Sequence, residues 1–164
     1  MSNTIVDLGV GAAIGYGASR IMDRTTGWYF ERQSETSRRR EEEIAPGGAP
    51  VLAGKKIASM VGREVADEEA ARIGLFVHRS LGVSYGMAAT ALVRAGMRPM
   101  RAGITTGAAA FLLVDEVVNS VMFTPPPQAY PVESHLRGVV GHLAYGIVAG
   151  SGLTIVRRLG AIRA

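Results

Sequence analysis

The sequence predicts an all-α integral membrane protein: a bundle of four transmembrane helices with one further, amphipathic helix in the membrane interface. Three observations carry that prediction. Apolar stretches long enough to span a bilayer recur, charge is segregated away from them, and their small residues fall at four-residue spacing. A bilayer core of about 30 Å takes roughly 20 mostly apolar helical residues, and residues 73–93, 102–123 and 138–156 reach that length. The 164-residue chain is 48% hydrophobic with mean hydropathy +0.19, an average that hides the segregation. Charges crowd into residues 20–72, whereas 102–114 and 138–156 hold no acidic or basic charge, so those stretches lack the polar face that a soluble helix keeps.

The first segment, 5–22, carries Asp7 and Arg20 near its ends. Trp28, Tyr29 and Phe30 just beyond it are suited to an interfacial aromatic anchor, which argues for a span rather than a surface helix. Met1-Ser2-Asn3-Thr4 lacks the basic start of a signal peptide, and Asp7 breaks the apolar run, so 5–22 is expected to be retained. Residues 31–50 read as a charged Ser/Glu/Arg-rich linker closing on Pro46-Gly47-Gly48-Ala49-Pro50, which no helix is expected to cross.

From 51 to 65, Ala53, Ile57, Met60, Val61 and Val65 share one helical face, with Lys55, Lys56, Ser59 and Arg63 largely on the other. Two readings stay open: an interfacial helix meeting anionic lipid through Lys55, Lys56 and Arg63, or a cap packed over the bundle. Asp67, Glu68 and Glu69 suit the start of the second span, where the helix dipole favours negative charge. The later connections are short. Arg94, Arg98 and Arg101 flank Pro99 in the turn 94–101, and 124–135 carries Thr124-Pro125-Pro126-Pro127 and Pro131, so these two loops are expected on opposite faces. The arginines at 94, 98, 101, 157, 158 and 163 draw their side toward the cytoplasm, while the long charged loop after the first helix pulls the other way. That loop is also dense in acids, which favours a cytoplasmic C-terminus.

Gly11/Gly15, Gly82/Gly86, Gly103/Gly107 and Gly146/Gly150 each stand four apart. In water such glycines weaken a helix by about 1 kcal/mol each. In lipid they let backbones approach, because packing drives association there. A Tyr-Gly pair recurs at Tyr16-Gly17, Tyr85-Gly86 and Tyr145-Gly146, which chance explains as readily as a repeat.

Ionisable groups inside spans are costly and usually face the bundle. Folding the second span onto the third sets His78 and Arg79 beside 116–118, and folding the third onto the fourth sets Asp115 beside His142. At a rise of about 1.5 Å per residue, these groups and Glu116 lie roughly 8–12 Å below the proline-rich surface. Asn119 is one turn from Asp115, and Tyr145 is three residues from His142. The plainest reading of this layer is a static polar staple with Arg79 snorkelling outward. A proton or ion path is the functional alternative, and the two histidines also admit a bis-His haem between Gly82 and Gly146. No cofactor signature points to haem, so no cofactor is expected.

Several chemistries drop out. With no cysteine there are no disulfides, thiolate metal sites or cysteine nucleophiles. His-Glu-x-x-His and a Gly-Lys-Ser/Thr phosphate loop are absent, so neither an enzyme nor a metal site is expected, and Ser80 and Ser84 near His78 read as helix packing. The net charge of +4 and pI near 9.8 come without a basic face interleaved with aromatics, so nucleic acid is not an expected partner. The expected partners are the lipid bilayer and, through small-residue faces, other membrane subunits or a second copy. An accessory subunit of a larger membrane complex is thus the rival to a role in membrane or proton homeostasis.

Over its last ninety or so residues the chain resembles the YagU-like family of small bacterial inner-membrane proteins. The order and spacing of Tyr85-Gly86, the basic turn, Gly103 and Gly107, Thr124-Pro125-Pro126, Gly141-His142-Leu143 and Arg157-Arg158 carry the resemblance. It implies a multi-pass inner-membrane location and a link to acid tolerance, and implies no reaction. Residues 1–70 fall outside it.

Overall fold

The computed structural model describes residues 4–160 and 162, with the side chains at 119 and 120 outside the description. Among the described residues the fold is helical throughout, without strands. Two long helices, α1 (Thr4–Phe30) and α4 (Asp67–Arg94), flank a short pair, α2 (Glu35–Ile44) and α3 (Gly48–Met60). Next, α5 (Pro99–Ala110) runs into a π-helical stretch, Phe111–Asn119, and a last turn, α6 (Ser120–Met122). A 3₁₀ turn at Pro127–Ala129 leads into α7 (Val132–Arg158).

Local chemistry accounts for the boundaries. α4 opens with Asp67, Glu68 and Glu69, and α7 runs from Glu133 in its first turn to Arg157 and Arg158 in its last, so charge and helix dipole agree at these ends. α5 starts on Pro99, whose fixed φ suits a first helical residue. Gly96, at φ 97°, supplies the left-handed residue that reverses the chain between α4 and α5.

α1, α4, α5 and α7 alternate in direction as an antiparallel bundle, in which α1 packs on α4 and α7, and α5 on α7 and α4. Glycine sets two close seams between the long helices. A Cβ on Gly86 would stand 2.6 Å from Gly15 Cα, and one on Gly103 would stand 2.7 Å from Gly150 Cα. These are backbone-to-backbone contacts, made where the sequence spaces glycines four apart. The core is built of small residues: Ala18, Ala70, Ala89, Ala102 and Ala149 have no exposed surface. The large apolar side chains point outward instead, with Phe76 at 73%, Leu113 at 62% and Val121 at 79% exposure. Of the described helices, α7 is the one both long enough and apolar enough by itself to cross a membrane, with mean hydropathy 1.6 over its best stretch.

Several expectations need correction. The stretch 31–50 is no simple linker, since α2 occupies much of it and α3 already begins at Gly48. Gly47, at φ 74°, turns the chain into α3, and Pro50 stands in that helix's first turn, where its missing N–H costs nothing. α3 ends at Met60, not 65. Its packed face is Val51, Gly54 and Ala58 rather than the face through Ala53, Met60 and Val61, the last two being exposed. The cause is again glycine: Gly54 lies against the Ala70 carbonyl and Gly74 against that of Pro50, so α3 is laid directly on the start of α4. Lys55 pairs with Asp67 at 2.6 Å and Arg63 with Glu69 at 2.9 Å, while Lys56 is exposed. α1 continues to Phe30, so Trp28, Tyr29 and Phe30 belong to its last turns and do not follow it. The third predicted span, 102–123, changes winding at Phe111.

The seams give a direct test. Gly86→Ala should lower bundle stability in detergent by about 1–3 kcal/mol, as overpacking typically does. Gly17→Ala, where a Cβ meets nothing within 4 Å, should be neutral or mildly stabilising. Denaturant titration of both variants measures this, and equal behaviour would remove the α1–α4 seam.

Candidate functional site

The α2/α3 half of the bundle is held apart where the other half is closed. Toward the 94–101 turn, Ala89, Val93, Ala102, Leu153 and Ile162 form a dry cluster. Asp7, 2% exposed, is ion-paired there with Arg94, which also donates to Thr4 Oγ1 at 3.0 Å. Toward α2 and α3 the helices enclose a cavity of about 120 Å³, lined by groups that include Ser19, His78, Tyr85, Asp115, His142 and Tyr145.

His78, Asp115 and His142 line this space, and each imidazole has a carboxylate neighbour. His78 Nε2 lies 3.0 Å from Asp23 Oδ1, across α4 and α1. His142, 6% exposed, has Nδ1 at 3.6 Å from Asp115 Oδ2. The same Nδ1 donates to the Gly138 carbonyl at 3.0 Å, so Asp115 is its electrostatic neighbour rather than its hydrogen-bond acceptor. The Phe111 ring packs on the imidazole at 5.7 Å. Tyr145, buried, donates to the Gly82 carbonyl at 2.7 Å and meets Tyr85 edge-to-face at 6.3 Å. The Tyr85 hydroxyl lines the cavity with no hydrogen-bond partner among the described residues. A buried donor in a polar space of this size is a site for ordered water.

The predicted layer is therefore partly regrouped. Asp115 and His142 are adjacent, and His78 and Tyr145 line the same cavity. His78, however, is paired with Asp23 on α1 and not with 116–118, because α1, rather than the π-helical segment, packs along that face of α4. Arg79 is half-buried, and its Nε has no hydrogen-bond partner among the described residues. Glu116 turns away to His135, whose Nδ1 lies 2.9 Å from Glu116 Oε1 and whose Nε2 lies 3.0 Å from the Pro127 carbonyl. The side chain of Asn119 lies outside the described residues. Both candidate haem ligands face protein acceptors, His78 the Asp23 carboxylate and His142 the Gly138 carbonyl. Among the described residues no three His, Asp or Glu groups converge as metal ligands.

The sequence reading missed three partners. Asp23 and His135 stand just outside the predicted spans 5–22 and 138–156, yet α1 and α7 include them. His135 stands seven residues before His142, two helical turns on one face, a spacing visible in the sequence. The third is Glu41 on α2, only 12% exposed at its side chain. It accepts from Arg137 at 2.7 Å, Ser134 at 2.6 Å and Gln33 at 2.6 Å, and Arg137 also donates to Gln33. Ser34 adds N–H and hydroxyl donations to Glu133 at 2.8 and 2.9 Å, completing the α2–α7 junction. Burial alone would raise the Glu41 pKa, but the donors from Arg137, Ser134 and Gln33 outweigh it and hold the carboxyl below its ordinary range. Nearby, burial pushes the Tyr130 hydroxyl upward, leaving it a proton donor at neutral pH.

Comparison with family models, with curated proteins and with solved structures finds no match.

The α2 junction yields one prediction. Since the folded Glu41 has the lower pKa, its contribution to docking is complete above the ordinary glutamate value of 4.5 and is lost as pH falls through the folded value. Hydrogen exchange should find α2 amides protected at pH 7 and deprotected in acid, with Glu41→Gln flattening the pH dependence. Protection that ignores pH in the unaltered protein would refute the assignment.

The Asp115–His142 pair yields another. Asp115→Ala and His142→Ala should each destabilise, and the double change should cost less than their sum. Coupling should be near the 0.6 kcal/mol average of intramembrane polar pairs, since the contact is 3.6 Å. Strict additivity in a denaturation cycle would mean that the two groups do not interact.

Proposed function

We propose that the chain is a non-enzymatic, multi-pass protein of the bacterial inner membrane, its four long helical segments spanning the bilayer, and that it serves proton or acid homeostasis. The observation that carries the functional part is a cavity lined by His78, Asp115 and His142, with Asp23 paired to His78 from α1. Imidazole is the side chain best suited to carry protons, and a carboxylate beside it supplies the counter-charge, so such a cavity has the groups that proton handling needs. The membrane part is supported by the inverted packing, with alanine and glycine within and large apolar side chains without, and by the position of the 94–101 and 124–131 turns at opposite ends of the bundle. The YagU-like resemblance over the last ninety residues points to the same location and role.

A second reading, an accessory subunit of a larger membrane complex, is favoured by one feature. Gly9, Ala13 and Gly17 are exposed at four-residue spacing on the outer face of α1, and a Cβ on either glycine meets nothing within 4 Å. Such a stripe admits another helix closely, and mass measurement in mild detergent distinguishes an assembly from a lone chain.

Purified protein in liposomes carrying a pH-sensitive dye tests the first reading. The unaltered protein should dissipate an imposed pH gradient faster than empty vesicles. Asp115→Asn should abolish the difference, whereas Glu68→Gln, at an exposed position, should not. Flux no greater than that of empty vesicles sinks the homeostasis reading.

A further inference from the structure

The cavity between His78 and His142 is not isolated. A second chamber of about 130 Å³ shares Ala49 and Asp115 with it and adds Glu116, Ser134 and His135. A third, about 310 Å³, shares Ala49, Tyr130 and Arg137 with the second and reaches the exposed Glu42 and Gly47 between α2 and α3. The three follow one another from the α2 end into the middle of the bundle. Beyond Tyr85 and Tyr145 the series stops, because the glycine seams and the Ala89–Val93–Ala102–Leu153 cluster leave no space toward the 94–101 turn.

We propose that these chambers form a one-sided aqueous route for protons, open at the α2 end and closed toward the 94–101 turn, with the His135–Glu116 pair as the relay between the mouth and Asp115. The proposal rests on the proton-handling reading of the inner cavity and adds its entry side and outer station. The chemistry at His135 fits a relay. Its two ring nitrogens face a carboxylate and a carbonyl, both acceptors, and a neutral imidazole can donate to only one of them. Satisfying both contacts requires a proton held between His135 and Glu116. That proton passes inward by binding to Asp115, the residue next to Glu116 and shared by both inner chambers, as His135 takes up another from water at the mouth. The unpartnered Tyr85 hydroxyl at the inner end is a donor of the kind that holds water there. Ala49, at the start of α3, borders all three chambers, so α3 sets the width of the route.

The absence of native cysteine makes a clean test. Single cysteines are placed at Val77, which lines the inner cavity, at Glu43 on the α2 face and at Arg98 on the opposite face. In proteoliposomes each is challenged from either side with a charged, membrane-impermeant methanethiosulfonate, which reacts only with thiols in water. Val77→Cys should react from whichever side labels Glu43→Cys and be silent from the side that labels Arg98→Cys. Adding Ala49→Trp should abolish its reaction while leaving that of Glu43→Cys intact. Should Val77→Cys fail to fold, Ala53→Cys, lining the same cavity from α3, takes its place. Labelling from the Arg98 side, from both sides or from neither overturns the one-sided route. A His135→Gln variant that transports protons as fast as the unaltered protein overturns the relay. If one-sided labelling holds while no variant carries flux, the homeostasis reading fails and the aqueous route stands.

Discussion

Backbone contact at glycine governs this fold more than any polar group does. Where Gly15 meets Gly86, and where Gly103 and Gly107 meet Gly146 and Gly150, backbone lies directly against backbone. Two antiparallel pairs result, α1 with α4 and α5 with α7, each too close at its seam to admit even a methyl group. Everything else is accommodated around that restriction. Many large apolar side chains are turned out, while Val93, Leu153 and Tyr145 are buried away from the seams. Polar side chains cannot lie at the seams and collect where the helices diverge. In water such a surface would be a liability, whereas in hydrocarbon it is the surface the solvent calls for.

The divergence is maintained by aromatic spacers. Tyr145 reaches from α7 to the Gly82 carbonyl on α4. Tyr85 leans edge-on against it. Together they separate α4 from α7 at mid-bundle and divide the interior into a dry half and a wet half. The dry half ends in one buried ion pair, Asp7–Arg94, and the wet half ends in the wider junction of Gln33, Glu41, Ser134 and Arg137. The two ends are therefore unlike, which any directional role in a membrane requires.

Much of this was legible in the sequence, and the limits of legibility have physical causes. The glycine spacing, the short turns and the adjacency of Asp115 and His142 follow from helical periodicity and hairpin register, which act locally. Asp23, His135 and Glu41 escaped because helix length was judged from apolar runs, whereas α1, α4 and α7 continue through charged residues until a turn residue stops them. The face of α3 was misassigned for a related reason. Hydrophobic periodicity locates the most apolar face, but Gly54 and Ala58 pack by closeness of approach, which a hydropathy pattern does not weigh.

The π-helical stretch from Phe111 to Asn119 ties these features together. Asp115 and Glu116 are consecutive, yet each serves a different histidine of α7, Asp115 facing His142 and Glu116 bonding His135 two turns away. In a regular α-helix, consecutive side chains diverge by about 100°, so two neighbouring carboxylates do not readily face the same helix. Wider π winding changes that register locally, and such departures are frequent at functional sites. It also interrupts α5 where Phe111 must fit against both Gly138 and the His142 ring. The irregular segment lies beside the paired carboxylates and histidines, while the regular α5 lies beside the glycine seam. The same strand of logic that makes one end of this helix a packing surface leaves the other free to be shaped by its polar groups.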